Sequence, residues 1–105
     1  MKVYIYSDSG VTAIDGRTLE DTRTECIQLA RRKTTEAIES SGIDEKTQLN
    51  AIAGIYPPER CEAIKSYIAA CRNEYLRCKA LILAATSNDE ADAVQFAAPP
   101  VPEGL

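Results

Sequence analysis

The sequence predicts a mainly α protein with a short N-terminal β-hairpin (α+β), in which an antiparallel helical hairpin contains one long C-terminal helix. Three observations predict it. From Cys61, the positions Cys61, Ile64, Ile68, Cys71, Tyr75, Cys78, Ile82 and Ala85 recur at alternating steps of three and four, all apolar or amphipathic. Such spacing marks one face of a long helix that needs cover along its length. A thinner stripe of Cys26, Ile27, Ala30, Thr34, Ala37 and Ile38 marks an earlier helix able to pack against it. Lys2 to Tyr6 is rich in β-branched and aromatic residues, the composition of a strand.

Taken in order, the strand is followed by Ser7-Asp8-Ser9-Gly10, a turn composition, and by a second apolar run from Val11 to Ile14 that Asp15-Gly16 ends. The simplest reading is a β-hairpin over residues 2–14. Two strands alone are marginal in water, so the hairpin must lie on a helix or meet a strand of another chain. The first helix is expected over 18–41. Thr18 is its N-cap, Glu20 and Asp21 suit the dipole of its first turn, and Gly42 follows its end. A short helix over 44–54 starts at Asp44 and is bounded by Gly54 and by Pro57-Pro58. The long helix spans 57–86, opening on prolines whose missing N–H costs nothing there, with Glu59 and Glu62 near its positive end. Ser87 or Asn88 then caps a last short helix over 89–96, and residues 97–105, with Pro99, Pro100 and Pro102, form a flexible polyproline-like tail. Residues 1–96 thus read as a single small domain.

Composition narrows the function classes. At 105 residues one domain is expected, and 45% apolar residues suffice for a small core. Aromatics are only 6%, so that core must be aliphatic and cysteine-rich. A net charge of −4 argues against nucleic acid as a partner. No apolar run is long enough to span a bilayer, and the N-terminal run is too short for a signal peptide. No membrane association is expected, and the location read from these features is cytoplasmic.

Candidate chemistry is sparse. Cys26, Cys61, Cys71 and Cys78 are the four cysteines, and there is no histidine and no CxxC pair. Cys71 and Cys78 lie two helical turns apart, roughly 10 Å, beyond disulfide reach within one helix. Zinc would need Cys26 to converge with the long helix, and a catalytic thiol would need a base; Arg72, Arg77 and Lys79 are the basic neighbours of Cys71 and Cys78. Packing in the core is the better reading for all four. Asp8, Asp15, Asp21, Asp44, Glu45, Asp89, Glu90 and Asp92 sit at turns and helix starts, where capping explains most of them. No cofactor, metal or catalytic residue is assigned, and the protein is read as a non-enzyme.

The long helix outruns its neighbour and has the richer stripe, so part of that stripe is expected to serve an oligomer or another protein. The residues assigned to this contact are Ile64, Tyr67, Ile68, Cys71, Arg72, Tyr75, Lys79 and Ile82. Lys65, Arg72 and Lys79 recur every seven residues beside the stripe, where charges select partners in coiled coils. Arg31, Arg32 and Lys33 form a short basic cluster that suits either phosphate or, more simply, a solvated face paired with Glu20, Glu25, Glu36 and Glu39. A homodimer across the long helices would also bury the surplus.

The stretch Gly42-Ile-Asp-Glu-Lys-Thr-Gln-Leu-Asn50-Ala-Ile resembles a segment of small tailed-phage tail-fibre assembly (chaperone-like) and tail-associated proteins, as a helix start after an Asp-bearing turn. Tyr67 to Ile82, followed by Ala84 to Val94, resembles their closing helix and its acidic exit. The resemblance spans about residues 23–95. It implies a non-enzymatic interaction or assembly protein of phage or prophage origin, residing in the host cytoplasm or the virion. Its partner would be a tail component, whose apolar surface docks on Ile64, Tyr67, Ile68, Tyr75 and Ile82 until assembly. A small host-directed inhibitor, binding a defence or regulatory protein, is the alternative.

Overall fold

The computed structural model describes residues 2–7, 10–103 and 105. The turn expected at Asp8-Ser9 and the tail residue Gly104 lie outside the described residues. The chain is mainly helical. Strands β1 (Lys2–Ser7) and β2 (Gly10–Asp15) pair antiparallel, with Val3 opposite Ile14 and Tyr4 opposite Ala13. Among the described residues four helices follow: α1 (Leu19–Ser40), α2 (Glu45–Ile52), α3 (Pro58–Ala84) and α4 (Asn88–Asp92).

Side-chain caps fix where the helices begin. The hydroxyl of Thr18 accepts from the Asp21 N–H at 3.0 Å, a carboxylate oxygen of Asp44 from the Thr47 N–H at 2.7 Å, and the hydroxyl of Ser87 from the Glu90 N–H at 3.1 Å. Each satisfies a donor that the first helical turn leaves without a partner. Glu90 answers in the other direction, accepting from the Thr86 N–H and hydroxyl, and these bonds hold its carboxyl below the ordinary range. α3 starts on Pro57 and Pro58. α1 and α2 both end on a left-handed glycine, Gly42 (φ 91°) and Gly54 (φ 73°). After α1, Gly42 N–H donates to Glu39 C=O and Ile43 N–H to Ile38 C=O. This is a Schellman turn, and the accompanying apolar contact joins Ile43 to Ile38.

α1 and α3 pack antiparallel, so the start of α1 meets the end of α3. Arg23 Nη2 donates to Ala85 C=O at 2.7 Å across that junction. Two apolar clusters lie along α3. One joins Ala30 of α1 to Cys78, Ile82 and Ala85, and Ala91 of α4 closes it. The other joins Ile43 and Ala51 to Ile64, Tyr67 and Cys71. Every position of the periodic stripe from Cys61 to Ala85 therefore faces the chain's own interior, buried or half-buried.

Two expectations are corrected here. The last short helix stops at Asp92, not at residue 96, because Val94 and Phe96 leave the helix to pack onto the Ala30–Cys78–Ile82 cluster. The tail beyond residue 97 is also not a free arm. It runs back along α3 as a strap. Gln95 C=O accepts from Arg77 Nη2 at 2.9 Å, Ala97 N–H donates to Glu74 Oε2 at 2.7 Å, and Pro99 C=O accepts from the Tyr67 hydroxyl at 3.3 Å. Leu105 then reaches the Ile64–Tyr67–Cys71 cluster. A proline-rich segment has few N–H donors but keeps its carbonyls. It docks here because Arg77 and Tyr67 supply the donors and because Phe96 and Leu105 supply apolar anchors.

Candidate functional site

The eight residues assigned to a partner contact fall on different sides of this fold. Ile64, Tyr67, Cys71 and Ile82 are 3% exposed or less, closed beneath α1, α2 and the strap. As a docking surface Tyr67, Cys71 and Ile82 are corrected, since the chain covers them itself, and Ile64 is left only as the floor of a groove. Ile68, Tyr75 and Lys79 are half-buried, and Arg72 is exposed. Tyr75 is engaged within the chain, since Arg31 lies 5.9 Å over its ring and Arg31 Nη2 donates to its hydroxyl at 3.3 Å.

Beside the half-buried Ile68 and the exposed Arg72 lies an open groove between α2 and α3, about 590 Å³ in volume. Ile64 and Ile68 form its floor, Ala51 and Ile52 its α2 wall, and Lys65, Ala69, Arg72 and Leu76 its α3 wall. Gln48 and Asn73 complete the lining. Ile52 is 73% exposed and Leu76 55%, so the groove presents large aliphatic groups to solvent. The local sequence explains this. α2 is only two turns long, and it buries Ala51 and leaves Ile52, one residue on, pointing away from the core. On α3, Ala69, Leu76, Ala80 and Leu83 form a second stripe at steps of seven, four and three, opposite the buried one. Leu83 is 52% exposed.

Of the assigned residues, the groove gathers Ile64, Ile68 and Arg72. Sequence reasoning missed Ile52, Ala69 and Leu76. The second stripe was the available signal: helical spacing of Ala69, Leu76 and Leu83 is as regular as that of the first stripe, though its residues alternate with polar ones.

The salt bridges described elsewhere on the surface are structural pairs. Arg17 bridges Glu25 at 3.1 Å and Asp92 at 2.6 Å, tying the start of α1 to the end of α4. Glu25 is thus engaged by Arg17 rather than by the Arg31–Lys33 cluster. Cys26 donates its thiol to Asp92 at 3.3 Å. Burial and then that carboxylate push its pKa up to about 11, which keeps the thiol protonated and poorly nucleophilic. Burial likewise raises Cys71 and Cys78. Glu74 grips Arg77 through both oxygens, Oε2 at 2.8 Å from Nη2. The Arg77 bonds, followed by that from Ala97 N–H, hold its carboxyl at about 2. Among the described residues no three His, Cys, Asp or Glu side chains come together to hold a metal, and no helix is long and apolar enough to cross a membrane.

Fold and surface together define a small helical-hairpin protein with a docked tail strap and an open aliphatic groove. Comparison of the chain with family models, with curated proteins and with solved structures found no match in any of the three.

Proposed function

We propose that this chain is a non-enzymatic interaction or assembly protein of phage or prophage origin, acting in the host cytoplasm, and in its most specific form an assistant to the assembly of a tail component. The phage origin rests on the resemblance of residues 42–52 and 67–94 to small tail-assembly proteins. The interaction role rests on one observation, the groove between α2 and α3 with Ile52 and Leu76 exposed at its walls. Large aliphatic groups gathered at an open groove are a recurrent mark of protein contact. The same reading takes the fold as α+β, with residues 2–14 a hairpin.

The mechanism is temporary shielding. An apolar segment of the partner seats on Ile52, Ile68 and Leu76, while Lys65 and Arg72 orient it by charge. The experiment is recovery of the cross-linked partner from cells carrying the parent genome, using the full chain with Ile52→Asp and Leu76→Asp as the comparison. Both residues are exposed, so the variant keeps its circular dichroism spectrum. Loss of a tail component from the recovered material is the expected result. Unchanged recovery by the folded variant rejects the groove, and recovery of a host defence or regulatory protein moves the role to a host-directed inhibitor.

A further inference from the structure

We infer that the groove between α2 and α3 receives an amphipathic helix bearing acidic residues two turns apart along one edge. This rests on the interaction reading above and names the partner's chemistry.

Shape is the first ground. Both walls are helices, and the α3 wall from Ile64 to Leu76 is about 18 Å long at the helical rise. Three turns of a partner helix fit along it, and their apolar side chains at i, i+4 and i+7 meet Ile52, Ile68 and Leu76. Among the described residues the groove wall contains no aromatic side chain on which a proline-rich peptide would stack.

Charge is the second ground and decides the occupant. The chain carries a net −4, yet among the described residues the only charged ones lining this groove are Lys65 and Arg72. Both are exposed on α3, seven residues apart, which is about 10 Å along the helix. A partner helix laid along the groove repeats its own edge at the same interval, so Glu or Asp at i and i+7 meets both cations at once. A second copy of this chain is the poorer occupant, because a two-fold contact brings both copies' Lys65–Arg72 edges into one interface with no groove-lining acid, among the described residues, to answer them.

The test uses the full chain and two fluorescein-labelled, lactam-stapled helical peptides. Both carry Leu at i, i+4 and i+7. One carries Glu at two edge positions seven residues apart, and the other carries Lys there. Binding is followed by fluorescence anisotropy at low salt. The Glu peptide is expected to bind about tenfold more tightly than its Lys twin, with Lys65→Glu/Arg72→Glu erasing or inverting that preference. Ile52→Asp, at an exposed position, is expected to abolish binding of the Glu peptide without unfolding the chain. Equal binding of the twins overturns the inference, as does indifference of the Glu peptide to the charge reversal. A concentration-dependent dimer that Ile52→Asp dissociates also overturns it, by placing a second copy in the groove. If neither peptide binds while partner recovery from cells still depends on Ile52, the acidic helix is rejected and the interaction reading stands. If recovery is also indifferent to Ile52, both fall.

Discussion

The two faces of α3 carry the same kind of pattern and meet different fates. The inner stripe, from Cys61 through Ile64, Cys71, Cys78 and Ile82 to Ala85, is buried. The outer stripe of Ala69, Leu76, Ala80 and Leu83 is equally helical in its spacing and lies exposed. Periodicity says that a face is apolar; it does not say what covers it. Cover was underestimated for the inner stripe because only α1 was credited with supplying it. The missing cover comes from short, irregular pieces: Ile43 in the turn after α1, Ala51 of α2, Ala91 of α4, and Val94, Phe96 and Leu105 of the strap.

The sharpest way to break this comparison uses two residues that adjoin in sequence. Ile82→Ala should cost about 2–4 kcal/mol in urea denaturation, as for a fully enclosed aliphatic side chain. Leu83→Ala, one position on and facing out, should fall within about 0.5 kcal/mol of the parent. Similar losses at both would mean that the outer stripe is also packed. A smaller effect is expected from Phe96→Ala, which removes the half-buried anchor of the strap. Its loss should be about 1–2 kcal/mol, part of the value for a fully buried ring. No change would return the tail to the free arm that its prolines suggest.

The strap's polar latch gives the next effect, visible in pH dependence. Glu74 is held at about 2 in the folded chain, against an ordinary value of 4.5, by Arg77 and then by the Ala97 N–H. A carboxyl depressed by folding stabilises the fold above its unfolded value and loses that contribution as pH falls through its folded value. The urea midpoint of the parent should therefore decline between about pH 4.5 and 2. Glu74→Gln should begin lower and lose that part of the slope; an identical slope would show the latch to be open in solution.

Much of the helical framework was legible from single residues. Thr18 and Asp44 cap the helices they were expected to cap, Ser87 rather than Asn88 caps the last, and Gly42 takes the left-handed turn that ends α1. These signals are local: a hydroxyl or carboxylate within three residues of a free N–H, or a missing Cβ where φ is positive. The strap and the groove were not legible for the opposite reason. Gln95, Ala97 and Pro99 are held by Arg77, Glu74 and Tyr67, partners more than fifteen positions away that no spacing rule connects. The groove depends on α2 ending so soon that Ile52 stands clear of the core. Proline count pointed to an arm, and the richer stripe pointed to the wrong face.

Thiol accessibility of the parent chain, read residue by residue by mass spectrometry after brief iodoacetamide treatment, tests the closure of the inner stripe most directly. Cys71 and Cys78 sit on that stripe at 0% and 1% exposure, so both should stay unmodified until denaturant opens the fold, and Cys61 should behave likewise. Rapid modification of Cys71 and Cys78 in a folded chain would contradict that closure and return the inner stripe to the surface as a place for a partner.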